Sequence, residues 1–100
     1  MTRPPKIPAV LTFVRRFLDD GCYWESEHVR ERMAERSIFR REVLYVLRHG
    51  GREESKDKYD PDFDNWKYAI RGKTVDGRQL RIVVVLNEGV VVITAIDLSE

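Results

Sequence analysis

Cysteine is almost absent: Cys22 is the single one in 100 residues. One thiol excludes an internal disulfide and any multi-cysteine zinc site, and it suits a reducing compartment. Histidine is nearly as scarce. His28 and His49 stand apart, and no metal-ligand spacing exists. No apolar run approaches the ~18 residues that a spanning helix needs. The stretch Ile7 to Leu18 is broken by Arg15 and Arg16 and lacks a small-residue cleavage site, so no signal peptide is expected and the cytoplasm is the expected location. There is no glycine-rich phosphate loop, since Gly72-Lys73-Thr74 lacks the upstream glycine of a P-loop. Neither charge sign dominates: 18 Lys/Arg face 17 Asp/Glu, a net charge of +1. A polycation is excluded, and no metal or other cofactor is expected.

What is present is an ordinary apolar share, 42%, with a high charged share, 35%. Most of that charge must lie at the surface of one small domain, residues 1–100. The charge is uneven. Residues 1–52 hold eleven Lys/Arg and seven Asp/Glu, whereas residues 53–100 hold seven and ten. That polarity is too mild to imply nucleic-acid binding by itself.

The first half has helical periodicity. After a lead, Met1 to Pro8, expected to be disordered, Val10, Phe13, Val14, Phe17 and Leu18 follow the spacing of a buried helix face, and Gly21 can end it. Ser26 is a good N-cap for a second helix, about Glu27 to Arg36. A third is expected from about Arg40 to Arg48, ended by Gly50-Gly51. The second half changes to a period of two. An edge strand is expected in the charged stretch after Gly51, then strands at about Trp66–Lys73, Arg78–Leu86 and Val90–Ile96. Asp76-Gly77 is a hairpin signal. Val90, Val92, Thr94 and Ile96 are expected on one face of the last strand. The fold class is therefore α+β, with N-terminal helices packed on one face of a three- to four-stranded antiparallel sheet.

On the second helix His28, Arg32 and Arg36 are successive i+4 neighbours beside an apolar stripe of Val29 and Met33. Two readings fit. Glu31 and Glu35 stand three residues after His28 and Arg32, so the row suits a salt-bridged solvent face. The same row suits an anion site, where an imidazole moves a proton and guanidiniums hold a phosphate. Lys67, Arg71 and Lys73 alternate on the strand face opposite Trp66, Tyr68 and Ile70, and Arg81 follows across the turn. A basic sheet face without helices is a possible RNA surface, or a solvated one. Thr94 interrupts an apolar strand, either as a good strand former or as a hydroxyl aimed into a site.

Three stretches, EHVRERMAERSI, EVLYVLRHG and NWKYAIRGKTVDGRQLRIVVVLNEGVVVITAI, resemble an uncharacterised bacterial domain family with the pattern His-Ala-x-x-Arg-Met-x-Glu-Arg-Gly-Ile. The resemblance covers Tyr23 to Asp97 and leaves residues 1–22 outside. His28, Arg32, Met33, Glu35, Arg36 and Ile38 match the pattern, while Ser37 replaces its glycine. The family is similar to small toxins of the RelE and MqsR type. The resemblance implies a RelE-like fold, a metal-independent endoribonuclease acting on messenger RNA, and an antitoxin partner, sometimes of zinc-finger type. On that reading His28, Arg32, Arg71 and Arg81 would be catalytic, and Arg36, Lys67, Lys73 and Thr94 would bind substrate. The alternative is a non-catalytic protein- or nucleic-acid-binding module using the same surface.

Overall fold

A computed structural model describes residues 3–99 and shows an α+β chain. Its elements are α1 (Val10–Asp19), β1 (Tyr23–Glu25), α2 (Glu27–Glu35), α3 (Arg40–His49), β2 (Gly51–Arg52), a 3₁₀ turn (Glu54–Lys56), β3 (Lys58–Asp60), β4 (Asn65–Lys73), β5 (Gln79–Leu86) and β6 (Val90–Asp97). The sheet order is β1-β6-β5-β4, and β2 and β3 share the outer edge of β4 in succession. The three long strands stand where period two places them. The expected three or four antiparallel strands become six among the described residues, because β1 adds to β6 in parallel and the charged edge is split into β2 and β3.

The pleat of β4 and β5 turns Tyr68, Ile70, Leu80, Ile82 and Val84 to one face, where all are buried under the helices. From α3 come Val43, Val46 and Leu47, and from α1 Val10, Val14 and Leu18. Each such fully buried aliphatic side chain contributes roughly 1.5–3 kcal/mol relative to exposure. Phe13, expected in the buried face, is exposed instead. The fully packed stripe of α1 is narrower, one residue every four, and Phe13 lies beside it. α3 approaches β4 so closely that a Cβ on Gly50 would stand 2.6 Å from the carbonyl oxygen of Arg71. Glycine is required there by contact, since its backbone is extended (ψ −177°).

Two expectations fail, one for a local reason and one because of contacts distant in sequence. A β-bulge between Val92 and Thr94 places one extra residue, Ile93, opposite the Val83–Val84 step. The side-chain alternation of β6 reverses at that point. Val90, Val92 and Ala95 face the core, whereas Thr94 stands opposite Val83 on the other face, with Ile96 following it. The N-terminal lead is also ordered by contacts. Met1 and Thr2 lie outside the described residues, but the following segment crosses β4: the Trp66 Nε1–H donates to the Pro4 carbonyl at 2.7 Å, and the Ile7 N–H donates to the Tyr68 hydroxyl at 2.9 Å. Lys6 stands 4.8 Å from the Trp66 ring centroid.

The turn from α2 to α3 places Ser37 at φ 53°, the left-handed region. Arg78, at the start of β5, secures this turn. Its guanidinium donates to the Ser37 carbonyl at 2.9 Å, to the half-buried Asp97 at 2.8 Å and to the buried Glu42 at 3.1 Å. Glu42 also accepts from the Phe39 N–H at 3.0 Å, which caps α3.

Candidate functional site

α2 begins where β1 ends. Ser26 accepts from the Val29 N–H at 3.1 Å, and its own N–H donates to the Val92 carbonyl at 3.1 Å. β1 thus covers the first part of β6, and α2 takes over beside the second part, after the bulge. Val29 and Met33 bury one side of α2. The adjoining side brings His28, Arg32 and Arg36 against Thr94 and Ile96, around a cavity of about 120 Å³.

The row is divided in its contacts. The Arg36 guanidinium donates to the Ala95 carbonyl at 2.8 Å and so ties α2 to the edge of β6. Arg32 pairs with Glu35 at 3.1 Å, with both side chains exposed, as a solvated surface would have it. His28 has no ion-pair partner among the described residues, although Glu31 follows it by three. A surface pair such as Arg32–Glu35 contributes about 0–1 kcal/mol and is readily exchanged for an anion.

On the helix-free sheet face lies a second cavity of about 450 Å³, lined by Lys56, Lys58, Lys67, Arg81, Thr94 and Ile96 among others. Thr94 and Ile96 belong to both cavities, and the bulge is the reason they do. Arg81 and Arg71 stand directly opposite each other in the β4–β5 register. Glu53 reaches over from the edge and takes both: Arg81 Nε at 2.5 Å, with Arg71 Nη1 at 3.4 Å. The Arg81 hydrogen bond holds the Glu53 carboxyl below the usual carboxylate range, and the same bond raises Arg81. Two guanidiniums share one carboxylate, so the face keeps positive charge. Arg71 and Lys73 line neither cavity; they lie further along β4, toward the Asp76-Gly77 turn.

Asp57 positions the edge residues. Between β2 and β3 the outer edge of Ala69 has no strand partner. The Asp57 carboxylate fills that place, accepting the Ala69 N–H at 2.9 Å, while the Glu53 N–H donates to the Ala69 carbonyl at 2.9 Å. The other Asp57 oxygen takes Lys6 at 3.0 Å and Arg52. The Asp57 side chain is wholly buried, and Arg52 lies over the Tyr68 ring, 5.3 Å from its centroid. The 3₁₀ turn is thereby held as a projection from the edge of β4, and it carries Ser55 and Lys56 to the cavity.

A family model described as Domain of unknown function (DUF4258) matches residues 26–97. The chain belongs to this family. No curated protein and no solved structure matches the chain. The DUF4258 match opens at the Ser26 cap and closes at Asp97, the partner of Arg78. It therefore contains the row on α2, the bulge, the edge projection and both cavities. The N-terminal segment, α1 and β1 lie outside it. They close the core and cover the first half of β6 but line neither cavity.

Sequence reasoning missed three contributors to this DUF4258 surface: Lys56, Lys58 and Glu53. Lys58 was legible in principle, since it alternates with Tyr59 as Lys67 alternates with Trp66, but the strand is only three residues long. A separate cluster lies beyond the far side of α2. There the Tyr23 hydroxyl donates to Glu25 at 2.7 Å, and Arg40 makes two hydrogen bonds of 2.9 Å to the same carboxylate. Arg40 holds Glu25 below its ordinary value, and burial with the Glu25 bond pushes Tyr23 up. This is a satisfied structural triad.

Proposed function

We propose that this DUF4258 domain is a metal-independent endoribonuclease of the RelE and MqsR toxin type, acting on messenger RNA. The observation that supports the reading is that the cavity lined by His28 and Arg32 and the cavity lined by Lys67 and Arg81 share Thr94 and Ile96. Metal-free RNA cleavage needs a group to move the ribose 2′-hydroxyl proton, cations for the phosphorane, and an acid for the leaving 5′-oxygen. His28 is the base that takes the 2′-hydroxyl proton, and solvent water protonates the leaving 5′-oxygen. Arg32 leaves Glu35 to meet the phosphorane charge. Arg36, fixed to Ala95, positions α2. Lys67 holds the phosphate from the sheet, and Thr94 donates a hydroxyl hydrogen bond between the two sides. Arg81 supplies field while Glu53 restrains it; Arg71 and Lys73 attract the strand from further along β4. The partner in this reading is an antitoxin whose acidic side chains cover the same face.

A non-catalytic module that binds nucleic acid or protein is the second reading. The Glu53 bridge favours it, because it already holds two of the four expected catalytic groups, Arg71 and Arg81, by hydrogen bonds. Cleavage of a labelled messenger RNA in EDTA separates the two. The intact chain is expected to cut, and His28→Ala to lower the rate about 10²–10⁴-fold, the range for a positioned acid or base. Thermal melts should be alike, because His28 is exposed. Undiminished cleavage by His28→Ala removes it from the mechanism, and no cleavage by the intact chain across several RNAs leaves the binding module.

A further inference from the structure

We propose that Lys56, Lys58 and Lys67 form a phosphate clamp that seats a single RNA strand across the open sheet face, with the strand running from α2 over β6, β5 and β4 to β3. This deepens the ribonuclease reading and rests on it. The sign of the clamp is a cost that is only partly compensated. Lys58 and Lys67 are directly opposite in the β3–β4 register, so two like charges face each other on one side of the sheet. Like charges so placed destabilise an antiparallel pair. The comparable clash of Arg71 with Arg81 is relieved by Glu53. Here only Asp60 stands near, 3.6 Å from Lys67. Lys56 and Lys58 have no carboxylate partner among the described residues, and both are exposed. Asp57, the carboxylate between them in sequence, is turned inward to Ala69, Lys6 and Arg52 and gives them no relief.

The geometry sets the class of ligand. Between α2 at one side and the 3₁₀ turn at the other lies a floor spanning β6, β5 and β4 to β3, three inter-strand spacings or about 14 Å. Val83 and Ile96 give it an apolar surface for a ribose or base, and Lys67 with Arg81 gives it charge. An A-form duplex carries its phosphates on two strands of a convex body, and a floor of this width fits one strand better than two. A single strand lying across the sheet reaches both the clamp and the His28 row. Lysines serve here as point charges, which hold a phosphate without demanding the planar fit of arginine.

The test is fluorescence anisotropy with a labelled single-stranded oligonucleotide in which every 2′-hydroxyl is methylated. Such a strand cannot be cut by attack of its own 2′-oxygen. Binding is measured over a range of salt for the intact chain and for the double variant Lys56→Ala/Lys58→Ala, with melts to confirm folding. The variant is expected to bind about tenfold more weakly, and its slope of log K against log salt should fall by about 1.4, for two phosphate contacts on a single strand. Arg16→Ala removes one charge from exposed α1 and should keep the slope. The intact chain should bind a duplex of the same sequence at least about tenfold more weakly than the single strand. The clamp is overturned by an unchanged slope in the double variant, by an equal fall in Arg16→Ala, by duplex binding as tight, or by no binding at all. Failure of the ribonuclease reading looks different: the unmodified RNA stays whole while the methylated strand still binds with the lysine-dependent slope.

Discussion

Replacing Asp57 with alanine should damage this fold more than any substitution on its surface, and the size of the damage can be worked out. The substitution leaves the Ala69 N–H without an acceptor at the gap between β2 and β3, in a residue that is fully buried. An orphaned buried donor costs about 1–3 kcal/mol. It also strips Arg52 of its main partner. Arg52 already has a buried Nε without a hydrogen bond, so its tie to Asp57 and the Tyr68 ring are what hold it. Losing one partner of a wholly buried pair costs ~3–5 kcal/mol. Arg52 is 18% exposed and has Glu54 at 4.0 Å, so much of that loss is recovered by turning outward. About 3 kcal/mol in total is expected, which lowers the Tm by roughly 12–24 °C for a domain of this size. Asp57→Asn keeps an oxygen for the Ala69 N–H and should lose about half as much. Lys6→Ala removes only the 37%-exposed cation and should cost under about 1 kcal/mol. Thermal and urea melts of the three variants give the ranking. If Asp57→Ala melts within about 2 °C of the intact chain, the carboxylate is not serving as a strand substitute, and the position assigned to the 3₁₀ turn loses its physical basis.

Two further outcomes follow, one from a single residue and one from three carboxylates. Ser37→Gly should raise stability by about 0.5–1 kcal/mol, because Ser37 is held at a positive φ that only glycine adopts without strain; an unchanged or lower Tm would show that Arg78 has already relieved it. Acid should destabilise the fold in a defined window. Glu25 is held low by Arg40, Glu53 by Arg81, and Asp97 by the Ser99 N–H and Arg78. With native values below the unfolded ones, their contribution is complete above about pH 4.5 and is lost as pH falls through the lowered values, where the unfolded chain binds more protons. Urea midpoints should be level from pH 7 to 5 and decline from about pH 4 downward, whereas a flat profile to pH 3 would remove these three pairs from the stability of the fold.

The long strands were legible because Trp66 to Lys73 alternates with a period of two and two apolar runs bounded by turn residues follow it, and the hairpin signal at Asp76-Gly77 fixed their direction. Ser26 was legible because it makes the cap hydrogen bond to Val29 that its position suggested. β1 was not, for a three-residue strand between two helices has no periodicity to show, and only Val90 to Val92 make it a strand. The bulge at Ile93 was also hidden. Five consecutive apolar or β-branched residues, Val90 to Thr94, carry no mark of which one is extra. That one residue decides whether Thr94 is buried with Val92 or opens onto both cavities. The N-terminal segment looked structureless because its contacts are with Trp66, Tyr68 and Asp57, more than fifty residues away, and no local pattern encodes them. Of the row on α2, its positions were legible but its partners were not: Arg36 is bound to a strand backbone, Arg32 to Glu35, and His28 to neither glutamate.

Where the open face holds unrelieved charge is informative in itself. A sheet surface shaped by stability alone would separate its cations or pair each with a carboxylate, since either change lowers the energy at no cost to packing. Half of this face does so. At the β5 end Glu53 spans Arg71 and Arg81, and the Arg81 bond holds the Glu53 carboxyl low and raises Arg81. The β3 half does so only in part, for Asp60 pairs with Lys67 and leaves Lys56 and Lys58 without a carboxylate among the described residues. Lys58 opposes Lys67, Lys56 projects beside them, and the acidic residue between Lys56 and Lys58 is withdrawn into the edge of the sheet to complete its hydrogen bonds. The unrelieved charge borders the half of the face that meets Thr94 and, through it, His28. A polyanion that touches both would relieve the lysine repulsion as it aligns with the imidazole, so attraction and alignment would be the same event.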